Sequence, residues 1–222
     1  MLFRSNMIKQ ELMNGRSVYL TGPGGNGKTH LVKKLLFNIP GKSIVLSPTG
    51  IVASDYGLKG STWQKLFLPN IIFQHKPFEY LLDHPDDFKQ LVIQYLKKYW
   101  ETKPAFLVME ECSMIRGIDC RYISECLKIL FDDDRIFGGI PMLICGDPAQ
   151  LEPVDENDKL ADLYFTDETI SQIRKHGLVI KMEHPRRLLK SGMSNVEAVH
   201  QFNILQNMRN SIVTDDFFNI VN

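Results

Sequence analysis

The eight residues Gly22-Pro23-Gly24-Gly25-Asn26-Gly27-Lys28-Thr29 satisfy the pattern G-x-x-x-x-G-K-[ST] at every fixed position. Average residue frequencies give an accidental match in about one chain in a hundred of this length, so the flanking residues decide what the match means. Ser17-Val18-Tyr19-Leu20-Thr21 has the content of a short buried strand, and His30-Leu31-Val32-Lys33-Lys34-Leu35-Leu36 continues as a helix. In that setting the glycines let the backbone curl until successive N–H groups and the helix N-terminus face a polyphosphate. Lys28 then reaches the β- and γ-phosphates, and Thr29 offers its hydroxyl to Mg²⁺. A glycine-rich turn that merely caps a helix is the alternative for the string alone. With its strand and helix, the string predicts an ATP and Mg²⁺ site in an α/β fold.

At 222 residues the chain is long enough to bury a full core as one α/β domain. Its 26 basic and 26 acidic residues give no overall attraction to nucleic acid. That balance is weak testimony against a DNA partner, because affinity comes from a local groove and single strands are gripped largely by stacking. Cys112, Cys120, Cys126 and Cys145 lie in apolar or helical segments with no C-x-x-C pair, which predicts reduced, buried thiols rather than a zinc site. The opening residues lack the apolar run of a signal peptide, and no stretch approaches the roughly 20 apolar residues of a membrane span. The expectation is a soluble, intracellular protein.

The other polar clusters stand at the ends of expected strands, where open α/β sheets bind ligands. Ser43 to Ser47 reads as a strand and leads into Pro48-Thr49-Gly50-Ile51-Val52-Ala53, with Gly60-Ser61-Thr62-Trp63-Gln64 following. From this segment alone, an ordinary loop with a threonine helix cap is the favoured reading of Thr49. Pro104 to Met109 is a third strand ending in Glu110-Glu111. Two carboxylates at the end of a buried strand are costly unless a cation and water share the site, although a solvated helix N-terminus also favours acids. In phosphate-loop enzymes the first acid serves Mg²⁺ and the second polarises the attacking water. Ile140 to Cys145 is a fourth strand, followed by Gly146-Asp147-Pro148-Ala149-Gln150-Leu151-Glu152-Pro153-Val154, where Gln150 is either a sensor of the γ-phosphate or a turn residue. Leu178 to Met182 reads as a fifth strand, and Arg186 and Arg187 beyond it supply a guanidinium to phosphate or sit on the surface. Helices are expected over 2–14, 86–102, 118–131 and 195–208. The aromatics Phe73, Phe78 and Tyr80 read as core or as a platform along a bound strand.

In their order, these motifs resemble the first motor domain of superfamily 1 DNA helicases, within them the Pif1/RecD-like group. The likeness covers roughly residues 15 to 210, and the Gly146 to Val154 stretch, similar to the family's G-D-x-x-Q-L-x-P-V, is its most specific part. The resemblance implies a P-loop NTPase fold, a RecA-like parallel sheet flanked by helices on both faces. It further implies that Lys28 and Thr29 hold phosphate and Mg²⁺, that Glu110 supports the metal, that Glu111 activates water, and that Gln150 couples the γ-phosphate to DNA. Pro48, Thr49, the Ser61-Thr62 turn and Gln64 would face single-stranded DNA, and Arg186 or Arg187 would reach the γ-phosphate.

Three departures from the family pattern stand out. Glu110 occupies a position where aspartate is usual, Gln64 one where histidine is common, and the adenine-reading glutamine expected upstream of the phosphate loop has no counterpart. No stretch of these 222 residues reads as a second motor domain. The expectation is therefore a motor domain over residues 1–210, with 211–222 the possible start of a second one, completed by a longer chain or a partner protein. A nucleotide-gated single-stranded DNA-binding module with weak or no turnover is the alternative.

Overall fold

The computed structural model describes residues 2–67, 83–147, 150, 168–183 and 194–209. Its centre is a set of short strands, mostly apolar except for the third: β1 (Val18–Thr21), β2 (Ser43–Ser47), β3 (Gly60–Thr62), β4 (Phe106–Met109), β5 (Met142–Gly146) and β6 (Leu178–Lys181). They form one sheet in the order β3-β2-β4-β5-β1-β6, with every neighbouring pair parallel. Strands in a parallel sheet are covered on both faces, and the sequences show it. All four residues of β4 and all five of β5 are buried.

Because side chains alternate across a strand, these segments feed two separate cores. Leu107, Met109, Met142 and Ile144 point to one face, where α4 (Trp63–Phe67), α5 (Pro85–Leu96), α6 (Gly117–Phe131) and α7 (Glu168–His176) bury Phe67, Phe88, Ile123 and Ile173. Val18, Leu20, Val108 and Leu143 point to the other, against α1 (Leu2–Met13) and α2 (Lys28–Asn38), which contribute Ile8, Leu12, Leu31 and Leu35. Each fully buried aliphatic side chain contributes about 1.5–3 kcal/mol, the driving force that offsets the ordering of the chain. The expected two-faced α/β architecture is thus observed. Two further helices are α3 (Gly50–Ser54) and α8 (Asn195–Arg209). Among the described residues, no helix is long and apolar enough to cross a membrane. The four cysteines are free and buried, as their apolar surroundings predict.

Two elements differ from the sequence expectation, and a third adds to it. Ser61 and Thr62 belong to a short edge strand rather than a turn, pairing with β2 at Leu46↔Ser61 and Ser47↔Thr62. The helix beginning at Pro85 ends at Leu96 and tightens into a 3₁₀ turn over Lys97–Tyr99, so that Trp100 leaves the helical path and is buried in the core. The helix α7 packs over the sheet through Ile170 and Ile173, a spacing that its mostly polar sequence conceals. The aromatic stretch from Phe73 to Tyr80 lies outside the described residues.

Candidate nucleotide and nucleic-acid site

Parallel strands bring all their C-terminal ends to one edge of the sheet, and the polar clusters collect there. The loop after β1 turns on Gly22 (φ 146°) and enters α2 through Gly27 (φ 88°), both in the region that side chains resist. The Lys28 side chain is buried and folds back over the loop, its Nζ donating to the Gly22 carbonyl (2.6 Å) and the Pro23 carbonyl (3.1 Å). Pro23 is buried, Gly24 is exposed, and Gly25, Gly27 and Thr29 are half-buried. A positive charge is therefore held inside a ring of backbone, where an anion meets little competing water.

The loop is also fastened to the end of β6. The Asn26 amide donates to the Met182 carbonyl, and a Cβ at Gly22 would fall 2.3 Å from that same oxygen. Real Cβ atoms do not approach backbone oxygen so closely. Gly22→Ala is therefore expected to cost about 1–3 kcal/mol of stability through overpacking and strained φ. Urea unfolding would measure it, and a change under 0.5 kcal/mol would refute the close approach.

On the neighbouring side of the cleft, Glu110 follows β4 directly, and its backbone N–H still donates to Leu46 (2.8 Å). Its side chain is 1% exposed, and its carboxylate accepts a hydrogen bond from the Tyr56 hydroxyl. Burial pushes the Glu110 carboxyl above its ordinary value and the adjacent Glu111 adds to that; the Tyr56 bond and the Lys28 charge act in the opposite sense. Glu111 is half-buried and adopts a left-handed backbone (φ 48°, ψ 46°), which turns it away from the strand direction at the start of the Cys112–Met114 3₁₀ turn. Non-glycine residues held so are found where the surroundings enforce them, often at functional positions. The two carboxylates thus follow one another at a single strand end, the second on a turned backbone.

From β5, Gly146 gives way to the buried Asp147, whose carbonyl accepts from the Gln150 N–H (3.0 Å). This short turn returns Gln150 to the phosphate loop: its Nε2 lies 3.1 Å from where a Cβ on Gly24 would stand. Gln150 is exposed, with its amide beside the loop. Pro148, Ala149, the motif residues from Leu151 to Val154, and Arg186 and Arg187 lie outside the described residues.

The remaining sequence candidates gather on the β2–β3 side. Pro48 and Thr49 follow β2, and Thr49 caps α3, its Oγ1 accepting from the Val52 N–H (3.4 Å). Thr62 ends β3 and its Oγ1 accepts from the Lys65 N–H (3.3 Å), while the Ser61 hydroxyl donates to the Thr62 carbonyl (3.2 Å). The capping reading of Thr49 is therefore correct as far as it goes. A hydroxyl that accepts from the backbone still has its hydrogen to donate, so capping and phosphate contact are compatible. Gln64 is half-buried, with its amide oxygen buried and lacking a partner among the described residues.

Sequence reasoning passed over Tyr56. It carries no motif, and only the fold brings it from the end of α3 across to Glu110, 54 residues away.

The sequence from residue 4 to residue 216 matches the family described as PIF1-like helicase. The chain belongs to that family. ATP-dependent DNA helicase PIF1 of Xenopus laevis is 27% identical over 158 residues, 68% of this chain but 22% of that protein. Among solved structures, Pif1 helicase from Candida albicans aligns with a TM-score of 0.68 at 23% identity, covering 96% of this chain and 44% of that one. Bacteroides sp Pif1 in complex with ADP-AlF4 aligns with a TM-score of 0.64 at 26% identity, covering 97% and 46%. This PIF1-like chain therefore spans about a fifth of the frog relative and just under half of each solved chain. Its sheet and phosphate loop are the P-loop NTPase, RecA-like architecture of those structures.

Proposed function

We propose that this chain is the ATP-binding and ATP-hydrolysing motor domain of a Pif1-like DNA helicase, one that translocates 5′ to 3′ on single-stranded DNA when a second motor domain completes it. The observation that carries the proposal is the meeting of Lys28, Glu110, Glu111 and Gln150 at one edge of the sheet. In this reading residues 1–210 form the motor domain, and 211–222 lead toward the second, in the same chain or a partner protein.

The donor set suits Mg²⁺. The Thr29 hydroxyl and the Glu110 carboxylate are hard oxygen ligands, and a buried carboxylate whose ionisation is opposed by burial gains from a cation beside it. Magnesium also needs few protein ligands, since phosphate oxygens and water complete its shell. When bound with ATP, the ion neutralises charge on the β- and γ-phosphates. Lys28 and the loop N–H groups from Gly22 to Thr29 orient the triphosphate. Glu111 accepts a proton from a water as the water oxygen bonds to the γ-phosphorus; the bond from that phosphorus to the bridging oxygen breaks, ADP leaves with the electron pair, and inorganic phosphate is the other product. Gln150, whose amide stands beside Gly24, couples the γ-phosphate to DNA, and Arg186 or Arg187 adds a guanidinium to the γ-phosphate.

For DNA, Pro48, Thr49, Ser61, Thr62 and Gln64 form the facing surface on the β2–β3 side in this reading; single-stranded DNA as the partner is supported by the likeness to Bacteroides Pif1, whose crystal structure is bound to ssDNA. Steady-state ATP hydrolysis with and without oligothymidine tests the proposal, using this chain and a form carrying the second motor domain. DNA-stimulated turnover is expected in the longer form. Absence of turnover in both, with or without DNA, would sink the enzymatic reading.

A further inference from the structure

Tyr56 stands outside every motif used above, yet it is the side chain that grips Glu110. It comes from the turn between α3 and the Gly57–Lys59 3₁₀ segment, is 9% exposed, and donates its hydroxyl to the Glu110 carboxylate. Thr29 approaches the same hydroxyl from α2. The ring is fixed independently of that bond, sitting in the core on the α1–α2 face with Lys33 Nζ 5.5 Å from its centroid. One phenol oxygen therefore bonds Glu110 and has Thr29 beside it, the two side chains that the proposed function assigns to the metal.

We propose that Tyr56 is a positioning residue of the Mg²⁺ site, holding the Glu110 carboxylate in the orientation that presents its second oxygen to the cation. The proposal rests on the metal-site reading given above. Its physical basis is the length of Glu110. Glutamate carries one more rotatable bond than aspartate, so at a strand end its carboxylate has more orientations to choose among. A hydrogen bond from a rigidly packed phenol selects one of them, occupies one oxygen and leaves the other for coordination. The tether also runs to the DNA side of the edge, because Tyr56 lies between Thr49 and Ser61 in the chain.

The test compares the unaltered chain with Tyr56→Phe, which removes the hydroxyl and keeps the ring. Binding of a fluorescent ADP analogue is measured across a magnesium titration and again in EDTA, with thermal melting as the check on folding. The magnesium concentration for half-maximal tightening is expected to rise about 10-fold or more, the usual effect of losing a group that orients a metal ligand. Affinity in EDTA is expected to change less than twofold. In a Glu110→Asp background, where the shorter side chain cannot hold the same bond, Tyr56→Phe is expected to shift the magnesium midpoint less than twofold. An unchanged midpoint in Tyr56→Phe overturns the proposal, as does a parallel loss of EDTA affinity and melting temperature, which marks a structural role only. Magnesium-independent binding by the unaltered chain overturns the metal-site reading itself, and the proposal with it.

Discussion

Lys28→Ala is expected to weaken nucleotide binding by at least ~100-fold, about 2.7 kcal/mol, while the protein stays folded. The size follows from where the ammonium sits. Its Nζ is buried among the Gly22 and Pro23 carbonyls, so it meets phosphate in a partly dehydrated ring, where a charge-assisted bond is worth more than on an open surface. Folding is spared because the hydrophobic contacts of α2 run through Leu31, Val32, Leu35 and Leu36, not through residue 28. Titration with a fluorescent ATP analogue, paired with circular dichroism, measures both quantities. Binding within threefold of the unaltered protein, in a folded variant, would contradict the assignment of the central loop.

Glu111→Gln is expected to lower ATP turnover by about 10²–10⁴-fold and to leave nucleotide affinity nearly unchanged. The substitution keeps size and hydrogen-bonding shape but removes the proton acceptor. Its left-handed backbone (φ 48°) is as accessible to glutamine as to glutamate, so the loop geometry survives the exchange. Single-turnover hydrolysis beside equilibrium binding separates the two effects. If turnover and affinity fell together, Glu111 would be holding nucleotide rather than activating water. The contrast with Lys28 is diagnostic: one variant loses binding, the other loses chemistry.

What could be read in the sequence depended on how locally each feature is encoded. The β1, phosphate loop and α2 unit was legible because consecutive residues state it, apolar strand, glycines at bends, then helical spacing. The β4 and β5 strands were equally plain, since strands buried on both faces are continuous apolar runs. Short elements were not. The edge strand Gly60–Thr62 has three small or polar residues, and it is a strand only because β2 offers it a partner. In α7, Ile170 and Ile173 are the buried residues of a sequence otherwise polar or charged, a stripe too thin to stand out. The apolar spacing over 86–102 overstates the helix, because Tyr99 keeps that spacing after the backbone has tightened at Lys97. For the site, residues at strand ends were foreseeable from the general rule of parallel sheets, whereas Tyr56 required knowing which loop crosses to which strand.

The sheet order also acts as a ruler. Because β5 lies between β1 and β4, the phosphate loop and Glu110 issue from strands two spacings apart, about 9.5 Å centre to centre. The strand between them finishes at Gly146, which presents no side chain, and Cys112 closes over it so tightly that a Cβ there would meet sulfur at 2.5 Å. The floor of the opening is thus kept low by a residue with nothing to project, and its two walls carry the cation-bearing loop and the carboxylates. Had β4 paired directly with β1, lysine and glutamate would stand one spacing apart and satisfy each other as an ion pair. Separated by a strand, they are left complementary to something of intermediate width, and the choice of guest is written into the order of the strands.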